Sequence, residues 1–482
     1  MSRTLDHFFR GQVVGSEGAA RPAGQPASGQ RCDGQRDDEY EPAWTHDPSW
    51  TSLKQQLADL KEPVRLLELC AGASTAAYAL HLLIGKDKVS LAGAYDLDIE
   101  CAKVARAVHG QLAPGHKFGS YEGDVMRTAI ESFPYADLLV AGPPCPPFSK
   151  LGQRKTFEDS RAAPFWRIID IIHHQASIGQ LKGFLLENVE GIAQKVKGAS
   201  KTPLQVIKAE LLDGLPEGWA VSHELFNTKS FGLPQSRPRV YIVGHDAKAG
   251  SIHPVSKFHR TVPLDSLLDI TDRSSRFNTS VQRQNIADWK KAYRAAMIDS
   301  KYAGQFAIVD RSRTPSGRTT WGGTVHPNIC ECLTAAGPAL HVFSLGCGDV
   351  DRLPLDRPLR EWERGILQGF SRGITRSLDG NPAAVRIWGN AMSVPVVGSA
   401  LGSLLISMIK LKSLGRTLGQ PHTNFAASSA EQADADRTSK GSPGSIRSLT
   451  SSDINDEVRV YGSPLRLDGD LMTISWDSMA RA

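Results

Sequence analysis

The sequence predicts an α/β protein built on a doubly wound, mostly parallel sheet, with a smaller second region and disordered tails. Three observations carry this reading. Through the middle of the 482-residue chain, short apolar runs of strand length alternate with longer segments at helical spacing. Such alternation implies parallel strands joined by crossover helices. Small, acidic or proline-rich stretches follow the apolar runs, as they do where loops at the carboxyl edge of a sheet receive a ligand. The composition, 40% hydrophobic and 22% charged, is that of a chain able to bury a core.

Residues 1–50 are rich in Gly, Pro and polar side chains, as in GAARPAGQPASGQ, and are expected to form a disordered tail. The first strand-like run is VRLLEL. It leads into Cys70, Ala71, Gly72, Ala73 and Ser74, small residues that let a backbone approach a ligand. STAAYALHLLIG has helical spacing. LAGAYDL is the second strand-like run; it carries Asp96, with Asp98 close behind, and an acid there can accept from ribose hydroxyls. After the helical IECAKVARAVHG come Gly123, Asp124 and Val125. ADLLVAG then runs into Pro143, Pro144, Cys145, Pro146 and Pro147. Proline fixes φ and removes a backbone donor, so this loop holds one thiol on a stiff frame. Past the helical FWRIIDIIHHQ, the strand GFLLEN delivers Glu187 and Asn188; the helical LQVIKAELLDGL and the strand RVYIVG follow. One sheet edge thus collects Gly72, Asp96, Asp124, Cys145 and Glu187. Each has a plain structural reading as turn, helix cap or buried thiol, but their convergence points to a site.

Net charge is +5, and its distribution says more than its sum. Residues 250–330 hold 12 Lys and Arg against 6 Asp, a local balance of +6. A basic segment suits a polyanion such as nucleic acid, and equally an ordinary solvated surface. The seven Cys have no regular spacing, so a disulfide framework is not expected. Cys330 and Cys332 form a CxC with Cys347 beyond, which falls short of the paired clusters of a zinc site, and no metal is assigned. No apolar run approaches the ~20 residues of a membrane span, and the first residues lack the apolar centre of a signal peptide. A cytosolic or nuclear setting is the expectation.

The order of these motifs resembles the cytosine-C5 DNA methyltransferase family. LELCAGAS is similar to its cofactor motif, YDLD to its acidic ribose site, and GPPCPPFSKLG to its PPC loop. Glu187-Asn188-Val189 matches its ENV motif, and Gln235, Arg237 and Arg239 its QxRxR motif. REWERGILQGF and WGNAMSVPVVG look like its last two motifs. Cys70 stands where the family usually carries an aromatic residue. The resemblance implies the S-adenosylmethionine-dependent methyltransferase fold. It divides the chain into a catalytic domain over 63–245, a target-recognition region over 246–345 and the rest of the catalytic domain over 346–412; residues 413–482, largely rich in Ser, Ala and Gly without an apolar period, read from composition as a mostly disordered tail. The resemblance assigns Cys145 as nucleophile on cytosine C6, Glu187 as acid at N3, Arg239 as donor to O2 and Arg237 as support for the loop carrying Cys145. It places Cys70, Gly72, Asp96, Asp124, Val125, Pro143 and Asn390 around S-adenosyl-L-methionine. Double-stranded DNA is the implied partner, with the target base flipped out of the stack. Arg273, Arg276, Arg283, Lys290, Lys291, Arg311, Arg313 and Arg318 are candidates for phosphates or guanines, whereas Trp289 and Trp321 read as core.

Two alternatives stay open at this point. One is a tRNA cytosine-C5 methyltransferase, although that branch usually carries a Cys-Phe-Thr tripeptide and this chain has none. The other is an inactive chromatin-binding protein on the same fold. At the N-terminus, Leu5, Phe8 and Phe9 have i, i+3, i+4 spacing. They resemble the peptide that docks on the replication sliding clamp, which would place the protein in the nucleus.

Overall fold

The computed structural model describes residues 41–413, apart from 113–120, 146–156, 158–159, 197, 248–251, 273–278, 313, 316–326, 336–338, 350–352, 377 and 379. Residues 41–50, inside the expected tail, are folded, and residues 1–40 lie outside the described residues. A 3₁₀ turn at Ala43–His46 leads into α1 (Pro48–Gln56), where the Asp47 carboxylate accepts from Ser49 N at 2.9 Å as an N-cap. Trp44 and Trp50 are buried edge to face, 4.8 Å between centroids, and Trp44 Nε1 donates to the Gly369 carbonyl. Two large aromatics in a polar stretch were the signal that this piece is core.

The central sheet takes shape from β1 (Val64–Leu69), α2 (Thr75–Ile84), β2 (Val89–Tyr95), α3 (Ile99–Leu112), β3 (Tyr121–Glu122) and β4 (Leu138–Ala141). α4 (Ala163–Ser177), β5 (Gly183–Val189), α5 (Pro203–Gly214), β6 (Trp219–Asn227), β7 (Gln235–Ser236) and β8 (Pro238–Asp246) follow. Seven strands lie in the order β3-β2-β1-β4-β5-β8-β6. The first five are parallel, and β8 is antiparallel to both β5 and β6. Alternate residues of each strand enter different cores, as the period of two requires. Leu66, Val140, Leu185 and Val243 join α2 on one face, whereas Leu67, Leu139, Phe184 and Ile242 join α4 and α5 on the other. Coverage on both faces is why these strands read as unbroken apolar runs.

Residues 246–345 contain α6 (Leu264–Leu267), α7 (Ser280–Ile298), β9 (Phe306–Asp310), β10 (Cys330–Glu331) and β11 (Leu340–Ser344). Ile286, Tyr293, Ala296 and Met297 of α7 pack on Val309 and Phe343 in a small core of their own, and Trp289 packs against it. The expected boundary at 345 cuts through this unit: β12 (Asp356–Pro358) completes the three-stranded sheet β12-β11-β9. β10 instead pairs in parallel with β7. The chain returns to the main core through α8 (Glu361–Leu367), α9 (Arg372–Arg376), α10 (Ala384–Asn390) and α11 (Val394–Ser413). From Ala384 to Ile409 the chain is long and apolar enough to cross a membrane by composition, contrary to the sequence reading, and 94% of its most apolar window is buried inside the fold. α11 lies so close to β5 that a Cβ on Gly183 would come within 3.0 Å of Leu404.

Candidate active site

The turn from β1 to α2 has a left-handed backbone at Cys70, Gly72 and Ser74, with φ of 50°, 53° and 55°. What holds it is Glu68, a buried carboxylate reaching forward to Ser74 Oγ and to the amides of Ala76 at 3.0 Å and Ala77 at 3.3 Å. It thereby satisfies orphan donors at the N-terminus of α2. Burial outweighs these hydrogen bonds and pushes the Glu68 carboxyl up to about 7. From β2, Asp96 Oδ2 accepts from Gly72 N at 2.8 Å and Oδ1 from Asp98 N at 2.9 Å. Burial raises Asp96 to about 6, against the pull of the Gly72 amide and Arg386. Asp124 Oδ1 accepts from Met126 N at 2.9 Å, and Val125 is buried against the core.

A Cβ on Gly72 would meet nothing within 4 Å, so open space lies beside these carboxylates. A Cβ on Gly142 would stand 3.8 Å from both the Cys70 carbonyl and Met392 Cε, which brings the ends of β1 and β4 together with the segment after α10. Arg386 of α10 pairs with Asp98, and Asn390 ends the same helix in an exposed position. The acceptors, the apolar Val125 and the opening suit a ligand with hydroxyl and amine donors and a flat ring.

The second half of the site lies beyond β4, β5 and β8. Pro143 is buried, and its carbonyl accepts from Asn188 Nδ2 at 3.2 Å, so β5 fixes the start of the proline loop. Cys145 is partly exposed. Burial and the Glu187 charge raise its thiol above the ordinary value, and Arg239 and Arg237 act against them. Glu187 pairs with Arg239, Oε1 to Nε at 3.2 Å. The antiparallel pairing of β5 with β8, Glu187 opposite Tyr241 and Val189 opposite Arg239, puts the two charges within reach.

Arg237 also makes contacts outside the Cys145 loop. Its guanidinium donates to the carbonyls of Leu333 at 2.6 Å, Gly389 at 3.2 Å and Ala391 at 2.9 Å, joining the segment after β10 to the end of α10. Among the described residues it is Asn188 that holds the start of the Cys145 loop. Arg311 departs from its expected role: it is buried, its carbonyl accepting from Asn285, so it does not face a phosphate. Trp289 packs inward and donates to the Asp310 carbonyl, as a core residue. Arg273, Arg276, Arg313, Arg318 and Trp321 lie outside the described residues. The three cysteines weighed for metal are apart in role: Cys330 is core, Cys332 faces the arginines, and Cys347 donates to the Met297 and Asp349 carbonyls. Glu68, two residues before Cys70, and Asn188, next to Glu187, were given no role from the sequence, although both lie inside motifs quoted there.

Fold and site together define an α/β protein with a thiol, a carboxylate and a guanidinium clustered at the sheet's carboxyl edge. The chain belongs to the C-5 cytosine-specific DNA methylase family, whose model matches residues 64–405. Among its relatives, Type II methyltransferase M.HpaII of Haemophilus parainfluenzae is 33% identical over 217 residues, 44% of this chain and 54% of that protein. Orphan methyltransferase M.Rho11sI of Bacillus phage rho11s is 38% identical over 122 residues, 25% of this chain and 22% of the phage protein. The chain therefore spans about half or less of the length of these relatives. Among solved structures, the Entamoeba histolytica methyltransferase EhMeth aligns over 72% of this chain and 99% of its own, with 14% identity and a TM-score of 0.48.

Proposed function

We propose that the protein is a DNA (cytosine-5-)-methyltransferase acting on double-stranded DNA with S-adenosyl-L-methionine as methyl donor. The observation that carries this is the grouping of Cys145, Glu187 and Arg239 at the sheet edge that also carries the Gly72 turn. The residues fit the donor: Asp96 and Asp124 offer acceptors for its ribose and amine, Val125 an apolar surface for its ring, and Cys70, Pro143 and Asn390 flank the space. When bound, it supplies an electrophilic methyl group.

The chain's own groups prepare the base. Cytosine C5 is too weak a nucleophile unless a thiolate adds at C6, so Cys145 gives up its proton to solvent, forms a C–S bond there and pushes electrons toward N3 and O2. A proton taken up with the base passes from Glu187 to N3 and returns to Glu187 when the product forms, and Arg239 donates to O2, where negative charge grows. In the free protein these two groups engage each other. A flipped base sets N3 at Glu187 and O2 at the remaining Nη hydrogens of Arg239, with Nε still on the carboxyl. Once C5 is alkylated it loses its proton to water, and the electron pair left behind expels the Cys145 thiolate. Arg237 contributes at a distance by tying Leu333 to Gly389 and Ala391. Residues 246–345 read the DNA in this scheme, and flipping the base costs a few kcal/mol.

The test is methyl transfer from labelled donor to unmethylated duplex DNA and to tRNA in parallel. Label is expected in 5-methylcytosine of the DNA. A duplex carrying 5-fluorocytosine should trap the protein covalently, because fluorine cannot leave as the proton does, and Cys145→Ser should abolish both signals. Label confined to tRNA, or Cys145→Ser at the wild-type rate, would overturn the reading. The relatives named above come from a bacterium and a bacteriophage, which supports the cytoplasm of a bacterial or phage-infected cell. The nuclear setting and the sliding clamp rest on Leu5, Phe8 and Phe9 alone, which lie outside the described residues. Titrating a peptide of residues 1–15 with a clamp protein tests that pair of ideas.

A further inference from the structure

The two arginines of the site share an anchor that the proposed reaction does not use. Arg239 has three guanidinium nitrogens, and each is engaged. Nε faces Glu187 at 3.2 Å, Nη1 donates to the Pro238 carbonyl at 2.8 Å, and Nη2 donates to Cys332 Sγ at 3.4 Å. Arg237 Nη1 reaches the same sulfur at 3.6 Å. The Cys332 thiol donates to the Leu333 carbonyl at 3.4 Å, which leaves the sulfur lone pairs for the two guanidinium groups.

Backbone pairing brings this sulfur here. β10 runs parallel to β7 with Cys330 opposite Gln235 and Glu331 opposite Ser236, and Cys330 N donates to the Pro234 carbonyl at 2.8 Å. Carried on along both strands, the register leads to Cys332 on one and Arg237 on the other. The β7 side is fixed in turn, since Gln235 Nε2 donates to the Leu367 carbonyl at 2.9 Å. Cys332 therefore stands at the seam between the recognition region and the catalytic sheet. It is the one contact to Arg239 among the described residues that comes from the recognition side.

We propose that Cys332 is a positioning residue, whose sulfur accepts from both guanidinium groups and holds Arg239 with Nε on Glu187 and its remaining Nη hydrogens free for the base. The seating of the recognition region then sets whether Arg239 is aimed correctly. This rests on the methyltransferase reading. Serine reproduces both functions of the thiol, accepting from the arginines and donating to Leu333. Alanine removes both, and valine fills the space without polarity.

The experiment compares full-length Cys332→Ala, Cys332→Val and Cys332→Ser with wild type on unmethylated duplex DNA. The Ala and Val variants should lose roughly tenfold in kcat, with KM for the methyl donor and DNA affinity within about twofold, as expected for a misaimed group. Ser should recover kcat to within about threefold of wild type. A second readout needs no turnover: the pH dependence of Cys145 alkylation by iodoacetamide, followed on its own peptide. Arg239 lowers the Cys145 thiol, so the Ala variant should titrate at higher pH and the Ser variant should not. Valine equal to wild type, or serine no better than alanine, overturns the inference. If wild type methylates no DNA, the function reading fails, and the alkylation profiles still decide the role of Cys332.

Discussion

Cys145 sits among opposing influences: burial and the Glu187 charge raise its thiol, and two arginines lower it without winning. The free protein should therefore hold Cys145 as thiol at neutral pH. We expect its alkylation rate to climb with pH and show no plateau below about pH 9. A plateau near neutrality would mean that the arginines dominate. At this scale the sequence was informative where a residue's own chemistry marks it, as for a thiol between prolines or an acid closing an apolar strand. It was silent where the role lies in a distant partner. Asn188 holds Pro143 and Cys332 holds Arg239 across 45 and 93 positions of chain, and no local pattern reports such pairs.

Among elements, the parallel strands and their helices were legible because each covers a full period of two or 3.6. β6 was not, since its residues are mostly half-buried at the sheet's edge, and the antiparallel sense of β8 has no signature in its apolar run. α7 was hidden by a polar exposed face, its apolar residues reading as isolated. The β1–α2 turn makes its own expectation. Glu68 is raised from 4.5 to about 7 in the fold. Across that window the folded protein keeps a proton that the unfolded chain has lost, so stability falls as pH rises through it. The contribution is on the order of 3 kcal/mol. Gln is close in shape to the protonated acid and can keep the bonds to Ser74, Ala76 and Ala77. Denaturation of Glu68→Gln should thus show a flatter decline over this range, the remaining slope including Asp96, which shifts in the same direction. Parallel curves for the two proteins would show that Glu68 does not titrate there.

At the scale of the whole molecule, the positive balance of residues 250–330 divides into three parts. Arg311 is buried, and Lys290 is tied to Asp356. Arg283, Lys291 and Arg294 are exposed along α7 and close enough in angle to form one stripe. Charge on such a stripe is free to displace counterions from a DNA backbone. We expect replacing the three by Gln to reduce the magnitude of the slope of log affinity against log salt by about two. An unchanged slope would remove α7 from the DNA-facing surface. Composition disclosed this excess of charge, but only the fold separates the cations that are spent internally from those that are available.

The placement of α11 has a consequence for how the molecule is made. α2, near the start of the sheet, is buried from Thr75 through His81, and its partner is α11, some 300 positions later. During synthesis on a ribosome the apolar side of α2 and one face of β5 must wait for residues 394–413 to emerge. At the ~5–20 residues per second of translation, that exposure lasts tens of seconds. A nascent chain stopped before Val394 would present an uncovered apolar face to the cell, and chaperone capture of such arrested chains should end once the segment of α11 clears the exit tunnel.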